Sequence, residues 1–383
     1  MSIQKYKNHC CGCGECSVVC PVGAIEMKKN SQGFYYPEVD EKKCIQCGKC
    51  VKHCTFHFAD NSKNEVLGAY ALKHCDPQIR AASRSGGLFT AVSDLVLQSG
   101  GVVYGCVLID CKEAVHIRAT TREQRDACRG SKYIQSKIFD LFQSIRQDLE
   151  SGLWVLFSGT ACQVHAVQDF CKGVDSKLLC VDIVCHGVPS PKVWEDYLKY
   201  ICKKEKKKAV AADFRDKKRF GWTDHKETIE FSDGTVYSGD TFTKLFYDHL
   251  ILRRDCFSCP YKNVNRYGDI SIADCWGILK WYPEFGDDKG TSLVLVNTEK
   301  GRDFFSRLEN VSFIPVELEK LLQPPLKQNW DCPALYDDFW NYYPKHSFGK
   351  TIMRYVTPDD RPIIRLKVKI YGMLMKLKKL ISR

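Results

Sequence analysis

The chain of 383 residues carries 57 Lys and Arg against 46 Asp and Glu, a net charge of +11, and its length predicts two or three domains. Basic residues gather in residues 203–208 and 365–383 without the aromatic-interleaved stripe of nucleic-acid modules, which argues against a nucleic-acid partner. The N-terminus is polar, and no run approaches the ~20 apolar residues of a membrane span, so we expect a cytoplasmic protein that does not cross a bilayer.

Eight of the 22 cysteines form two copies of one pattern near the N-terminus. The copies are Cys10-x2-Cys13-x2-Cys16-x3-Cys20 and Cys44-x2-Cys47-x2-Cys50-x3-Cys54. In this pattern three thiolates on one tight loop hold a cubane cluster, and the fourth cysteine ligates the other cluster. We therefore predict a dicluster 4Fe-4S ferredoxin domain over residues 1–62. Its predicted ligands are Cys10, Cys13, Cys16 and Cys54 for cluster 1, and Cys44, Cys47, Cys50 and Cys20 for cluster 2.

A zinc site and a disulfide framework are the alternatives for these cysteines. Zinc sites usually combine two Cys-x2-Cys pairs, and disulfides need an oxidising compartment. The triplet with a fourth cysteine, repeated twice, therefore favours iron-sulfur clusters. Cys11 lies outside the pattern and is expected to be a bystander.

Residues 59–65 are polar and predict a linker, after which a second region covers residues 66–150. Its predicted strands are residues 68–72 and 101–108, and its Ser85-Gly86-Gly87 turn opens a helix. Such a turn presents backbone N–H groups and the positive end of the helix dipole, which suit a pyrophosphate, although an ordinary helix start gives the same pattern. The loop Gly130-Ser131-Lys132-Tyr133 is consistent with a bound nucleotide or with a solvated turn.

Strands and helices continue to alternate through residues 151–310. Predicted strands cover residues 154–157, 178–184, 270–273 and 292–297, and a hairpin is predicted between residues 228 and 237. This alternation predicts a mixed α/β region after the ferredoxin-like module, in a multidomain chain that combines α+β and α/β parts.

Five further cysteines attract attention in this region. They are Cys162, Cys185, Cys256, Cys259 and Cys275. Cys162 and Cys185 each follow a predicted parallel strand, and ligands in such folds gather beyond the carboxyl ends of the strands. Four of the five could hold a third cubane cluster; the alternative is that each is a small buried hydrophobic residue.

Several segments, in this order along the chain, resemble the family of coenzyme F420 hydrogenase/dehydrogenase beta subunits over residues 66–310. They are Ser85-Gly86-Gly87 with Thr90-Ala91, Gly130-Ser131-Lys132-Tyr133, Gly159-Thr160-Ala161-Cys162-Gln163, Cys185-His186-Gly187 and Cys256-Phe257-Ser258-Cys259. The resemblance implies a flavoprotein that holds FAD beside a 4Fe-4S cluster and passes electrons between iron-sulfur centres and a two-electron carrier such as a deazaflavin. Longer members of the family carry an N-terminal two-cluster ferredoxin module.

The resemblance also assigns residues to the cofactors. It implies FAD contacts at Ser85, Gly86, Gly87, Thr90, Gly130, Ser131, Lys132 and Tyr133, with Gly159 and Thr160 at the border. It implies a third cluster at Cys162, Cys185, Cys256 and Cys259, with Cys275 as a candidate to replace Cys162 or Cys185. His186 becomes either a proton donor near the flavin or a residue that hydrogen-bonds beside the cluster.

Residues 311–383 have no counterpart in this resemblance and are predicted to be an extension. In residues 363–383 apolar side chains recur at helical spacing and lysines fill the remaining surface. This pattern predicts a helix on the inner face of a membrane or against a partner, or alternatively a packed terminal helix.

Taken together, these features predict an iron-sulfur flavoprotein oxidoreductase. Electrons would pass from two ferredoxin clusters through a third cluster to FAD and an unidentified two-electron acceptor or donor, such as a deazaflavin or a glycan-pathway molecule. A ferredoxin or a reductase is the expected redox partner. The alternative is a non-catalytic electron-transfer adaptor for a partner enzyme.

Overall fold

A computed structural model of the protein describes residues 2–6, 9–58 and 64–356. The N-terminal part is a small module of two short helices and one hairpin, in the order α1 (Glu15–Val18), β1 (Ile25–Lys29), β2 (Tyr35–Val39) and α2 (Lys49–Lys52). The strands β1 and β2 pair antiparallel. Each helix follows a Cys-x2-Cys segment and begins after a glycine with positive φ, Gly14 at 82° and Gly48 at 75°. The two cysteine motifs therefore fold into the same local structure.

The rest of the chain contributes twelve strands and thirteen α-helices to the described residues. The strands are β3 (Gly68–His74), β4 (Val102–Ile109), β5 (Glu113–Ala119), β6 (Ser136–Lys137), β7 (Val155–Thr160), β8 (Leu178–Ile183), β9 (Ala209–Asp213), β10 (Glu227–Phe231), β11 (Val236–Gly239), β12 (Ile270–Asp274), β13 (Ser292–Val296) and β14 (Val311–Pro315). The helices are α3 (Pro77–Ala82), α4 (Leu88–Gln98), α5 (Arg122–Asp126), α6 (Phe142–Glu150), α7 (Ala161–Cys171), α8 (Pro191–Glu205), α9 (Lys217–Phe220), α10 (Thr241–Tyr247), α11 (Ile278–Trp281), α12 (Glu299–Ser306), α13 (Leu318–Leu321), α14 (Tyr336–Tyr342) and α15 (Phe348–Tyr355).

Nine of these strands form one mixed sheet in the order β14-β3-β13-β12-β8-β7-β4-β5-β6. Its centre is parallel, because β12, β8, β7 and β4 all run in the same direction. The strands β3, β13 and β14 pair antiparallel on one side. A separate antiparallel sheet has the order β11-β10-β9. The predicted mixed α/β class and the hairpin between residues 228 and 237 are confirmed.

Helices cover both faces of the central strands. Val155 and Phe157 pack in the cluster that holds α6 and α7 residues, whereas Leu156 packs with α4 and α12 residues on the opposite face. Because side chains alternate along a strand, a strand covered on both faces is apolar at nearly every position. This explains why β7 and β8 appear in the sequence as short continuous apolar runs.

The sheet takes strands from both regions predicted at residues 66–150 and 151–310, and its edge strand β14 comes from the predicted extension. Among the described residues, no helix combines the length and the apolar character that a bilayer span requires. The predicted amphipathic helix over residues 363–383 lies outside the described residues and stays a prediction.

Candidate functional site

The first cysteine set gathers where the module meets the large sheet. It consists of the residues predicted for cluster 1, namely Cys10, Cys13, Cys16 and Cys54. Burial is the main cause that raises the pKa of Cys16 well above its usual range, and the neighbouring thiols of Cys13, Cys10 and Cys54 raise it further. The backbone N–H of Gly12 lies 3.3 Å from the Cys10 sulfur, as a donor to it. The structure thus brings together the four cysteines predicted for cluster 1, including the distant Cys54. Binding to iron removes the thiol protons that this crowding and burial otherwise hold in place.

The second cysteine set lines a small cavity at the outer end of the module. Cys20 of the first motif lies there with Cys44, Cys47 and Cys50 of the second, against Ile25. The N–H of Ala24 donates to the Cys20 sulfur at 3.2 Å. The fourth cysteine of each motif therefore lies with the triplet of the other motif, in the crossed arrangement that two cubane clusters require.

Four of the five remaining candidate cysteines also converge. Cys162 is the second residue of α7, directly after β7, and Cys185 follows the adjacent parallel strand β8. Cys256 and Cys259 lie in and just after a 3-10 helix over Arg254–Ser258. Burial is the main cause that raises the pKa of Cys256 well above its usual range, and the thiols of Cys259, Cys185 and Cys162 add to the effect. We call these four residues the third cysteine set.

Cys275 lies apart from this set. It is fully buried in an apolar cluster that includes Leu293 and Ile278. Burial is the main cause that raises the pKa of Cys275 to about 12, and the negative charge of Asp274 raises it further. Cys275 and Cys185 follow neighbouring strands, yet the structure does not bring their thiols together.

A basic side chain faces the third cysteine set. Lys262 is 8% exposed, and its amino group has no hydrogen-bond partner among the described residues. Burial lowers the pKa of Lys262, while the thiols of Cys185, Cys256 and Cys259 oppose that shift. An ammonium group in this position would stabilise negative charge on a bound cluster.

Cys11 connects the first and third cysteine sets. Hydrogen bonds with the thiols of Cys13 and Cys162 are the main causes that raise the pKa of Cys11. The bond from Cys11 is also the main cause that lowers the pKa of Cys162 to about 7. Cys11, Cys13, Cys54, Cys162 and Cys259 pack against one hydrophobic cluster. The residue expected to be a bystander is therefore placed between the predicted ligands of two different clusters.

Arg253 links the same two regions and was not singled out in the sequence. Its guanidinium is 1% exposed and donates to the carbonyl oxygens of Cys10 at 2.6 Å and Tyr35 at 3.0 Å. It also pairs with Asp255 at 3.2 Å and lies 3.8 Å from the centre of the Tyr36 ring. Arg254 follows it directly and is exposed, and the sequence carries no signal that distinguishes the buried arginine from its surface neighbour.

Part of the predicted extension lies over the third cysteine set. The N–H of Cys259 donates to the Asn329 side chain at 3.0 Å, and the Trp330 indole donates to the carbonyl oxygen of His186 at 2.7 Å. The Tyr336 hydroxyl donates to the carbonyl oxygen of Leu252 at 2.8 Å. Residues 329–336 therefore help to hold the loops that carry these cysteines.

The predicted flavin turn makes close contacts within the protein. The Ser85 hydroxyl donates to the carbonyl oxygen of Thr291, and the N–H of Gly86 donates to the Ser292 hydroxyl. A Cβ atom on Gly86 would overlap the carbonyl oxygen of Leu72, and Gly87 precedes α4 with φ of 100°. These contacts already require glycine at this turn, with or without a ligand.

The second predicted flavin loop also contacts the protein itself. Lys132 donates to the carbonyl oxygens of Ala127 at 3.1 Å and Arg129 at 2.9 Å, and the Tyr133 ring packs 5.1 Å from that of Phe246. Ser131 is half-buried in the same loop.

The other predicted flavin contacts also have roles within the fold. Thr90 accepts a hydrogen bond from Arg129 at 3.0 Å, Thr160 caps α7 in a capping box, and Gly159 precedes that cap.

A basic cavity lies beside both predicted flavin segments. It measures about 220 Å³, and Arg84 and Gly130 are in its wall. Five basic and three acidic side chains line it; the basic ones are Arg84, Arg129, Lys217, Lys218 and Arg219. An excess of positive charge suits an anionic ligand, and the volume is below the roughly 300–1,000 Å³ of pockets that enclose whole ligands. The wall of the cavity therefore carries more basic than acidic side chains, around a space too small for a whole cofactor.

His186 lies in an aromatic environment next to Cys185. Its Nε2 atom is 2.8 Å from Nε2 of His249, and its ring is 4.6 Å from that of Trp330. Burial, helped by His249 and Lys262, lowers the pKa of His186 to about 3. The ring is therefore neutral near pH 7 and shares one hydrogen with His249.

Comparisons with known proteins agree with this arrangement. Residues 9–58 match the model of the 4Fe-4S dicluster domain, and residues 153–320 match that of the C terminus of the coenzyme F420 hydrogenase/dehydrogenase beta subunit. One subunit of the F(420)H(2) dehydrogenase of Methanosarcina mazei is 24% identical over 319 residues, which cover 79% of this chain and 82% of the relative. One subunit of the Na(+)-translocating ferredoxin:NAD(+) oxidoreductase complex of Acetobacterium woodii is 44% identical over 45 residues, 12% of each chain.

Among solved structures, a chain of the F420-reducing NiFe hydrogenase complex from Methanosarcina barkeri aligns with a TM-score of 0.48 and 19% identity, over 69% of this chain and 87% of that one. The sequence matches make the chain an iron-sulfur electron-transfer protein related to oxidoreductase subunits. The predicted resemblance is thereby confirmed: a 4Fe-4S dicluster domain precedes a region of the type found in coenzyme F420 hydrogenase/dehydrogenase beta subunits.

Proposed function

We propose that this chain is a flavin-dependent oxidoreductase in which three 4Fe-4S clusters and FAD connect a protein electron donor to a two-electron acceptor, or the reverse. The observation that carries the proposal is the packing of Cys13 and Cys54 against the same hydrophobic cluster as Cys162 and Cys259, with Cys11 among them. Cys13 belongs to the set predicted for cluster 1, and Cys162 belongs to the third cysteine set. In this proposal electrons pass directly between the two clusters that these sets would hold.

The third cysteine set fits a cubane cluster by its chemistry. Its four members are thiols, all of them removed from solvent in part. Cys162 and Cys185 follow the parallel strands β7 and β8, and Cys256 and Cys259 are added in and just after the 3-10 helix over Arg254–Ser258. In this proposal Lys262 stabilises the reduced cluster by its charge. Residues 329–336 help to hold the loops that carry the cysteines.

The basic cavity supports FAD as the fourth redox group. Arg84, Arg129 and Lys218 would hold the pyrophosphate, and the Ser85 turn would form the neighbouring wall. When bound, FAD supplies the conversion between single electrons and electron pairs. The names of the relatives favour a deazaflavin as the two-electron partner and a ferredoxin or reductase as the protein partner.

The first test is the cofactor content of protein purified without oxygen. We expect about twelve iron atoms, about twelve acid-labile sulfides and one non-covalent FAD per chain. Eight iron atoms and eight sulfides would contradict the third cluster. Twelve of each in a protein with no affinity for any flavin would contradict the enzyme and favour the single-electron adaptor.

The second test addresses the flavin site. Lys218 is exposed and lines the basic cavity, so the substitution Lys218→Ala removes a charge without disturbing the core. We expect FAD to bind about fivefold more weakly, which corresponds to about 1 kcal/mol for a solvated ion pair. Lys203→Ala, on the exposed side of α8, is the matched control and should leave FAD affinity unchanged. Equal affinities of the two variants would place the flavin elsewhere.

A further inference from the structure

Three metal-binding side chains meet where the ferredoxin-like module contacts α7. Glu15 lies in α1, His53 follows α2, and Asp169 lies in α7. The Nδ1 atom of His53 is 2.6 Å from Asp169 Oδ2 and 3.8 Å from Glu15 Oε1. One ligand atom from each residue lies within 4.8 Å of the other two. This spacing allows all three atoms to bind one ion.

Glu15 is the unusual member of this group. It is 1% exposed, and neither of its carboxylate oxygens has a hydrogen-bond partner among the described residues. A buried carboxylate without a partner is strongly unfavourable. Its neighbour Asp169 is also an acceptor, and the thiol of Cys13 adds negative charge when it is ionised. Burial raises the pKa of Glu15, so the position calls either for a proton on that carboxyl or for a positive charge between the two carboxylates.

The group is open on one side. The side chains of His53 and Asp169 are 34% and 29% exposed, so an ion can enter from solvent and keep water as a further ligand. One imidazole nitrogen and two carboxylate oxygens suit zinc and similar divalent cations. The site is distinct from the cysteine sets because it contains no sulfur ligand.

We propose that Glu15, His53 and Asp169 bind one divalent cation of the zinc class. The ion would join α1 and α2 of the module to α7, the helix that begins beside Cys162. Glu15 precedes Cys16, and His53 precedes Cys54, so the same ion would fix two loops that carry ligands of cluster 1. The proposal is independent of the flavin and of the third cluster.

The test uses full-length protein purified without oxygen, exchanged into metal-free buffer without a chelator and then incubated with zinc chloride. We expect about one zinc atom per chain after desalting, with nitrogen and oxygen ligands in X-ray absorption. Asp169→Asn should retain less than a tenth of that zinc while keeping its iron and sulfide. Asp175→Asn, close to the end of α7, is the matched control and should retain zinc like the unmodified chain.

Three results would overturn the proposal. One is no retained zinc, and none of manganese, cobalt or ferrous iron, in the unmodified chain. Another is equal zinc in all variants, and the third is zinc with sulfur ligands, which would show that it had entered the cysteine sets. If Asp169→Asn loses its iron, His53→Gln provides the same comparison. Without an ion, a proton shared by Glu15 and Asp169 would be the remaining explanation of their contact.

Discussion

The ferredoxin-like module and the large sheet hold their cysteines in different ways. In the module the apolar core consists of a few side chains, including Ile3, Ile25, Met27 and Val51, and two ligand cysteines are part of it. In the sheet region the third cysteine set lies at the edge of strands that are already buried on both faces. A bound cluster would therefore be part of the core of the first region, whereas at the third cysteine set it would be an addition to a core that already exists. Domains below about 40 residues need such support, and the module is only slightly larger.

The largest expected effect comes from removing all iron with an anaerobic chelator. We expect residues 9–58 to lose their structure, because folding of such a small unit is coupled to metal binding. The sheet region should stay folded, because its core does not include the clusters. Limited proteolysis would then cut the module while a fragment containing residues 64–356 resists. Equal cleavage of the two regions would show that both depend on clusters to stay folded.

A second prediction separates the third cysteine set from Cys275. Cys256→Ala should lower iron by about four atoms per chain and leave the paramagnetic resonance signals of the module intact. Cys275→Ala removes a buried cysteine of the same region and should keep all iron, because its thiol lies in an apolar cluster away from the set. If Cys256→Ala also removed the signals of the module, cluster assembly in the two regions would be coupled.

The third prediction concerns the contact between the two regions. Arg253→Met leaves Asp255, which is 5% exposed, without its cation. Removing one partner of a buried pair costs about 3–5 kcal/mol. The free energy of opening this contact should fall by that amount, so the contact should open more often. Amide hydrogen exchange of residues 35–39 measures this opening. Arg253→Lys restores the charge without the paired donors, so its exchange rate should lie between those of the unmodified chain and Arg253→Met. Unchanged exchange in Arg253→Met would mean that other contacts hold the module.

The smallest effect is expected for Cys11→Ala. The thiol is a weak donor, worth about 0.5 kcal/mol, which corresponds to a shift of about 20 mV in the potential of a neighbouring one-electron centre. Iron and sulfide should stay at the level of the unmodified chain. A redox titration followed by paramagnetic resonance would detect the shift in cluster 1 or the third cluster. Loss of iron would instead show that Cys11 is a ligand.

The module could be predicted from the sequence because its ligands are close together along the chain. Cys10 to Cys54 repeat one spacing, and the spacing itself describes the local geometry. The third cysteine set spans residues 162 to 259, and its convergence depends on which strands are neighbours. The sequence made both Cys185 and Cys275 candidate ligands of the third cluster, because both follow strands whose carboxyl ends lie at one edge of the sheet. The direction of each side chain is decided by packing, which no spacing records.

Single residues with structural roles were the hardest to predict. Arg253 and Cys11 belong to no repeated pattern, and their importance comes from contacts with residues more than one hundred positions away. The Gly86 turn shows the opposite problem, since a pattern typical of ligand binding also has a full explanation in contacts with Leu72 and Ser292. A pattern cannot distinguish these two reasons for a glycine.

The position of residues 329–336 over the third cysteine set has a consequence for the order of synthesis. Ribosomes make the chain from its N-terminus, so the module can receive its clusters while most of the sheet is still unmade. The loops around Cys256 and Cys259 obtain Asn329 and Trp330 only after about 270 further residues have followed the module. Cluster insertion would therefore occur in two episodes, an early one at the module and a later one at the third cysteine set, after residue 330 has been made.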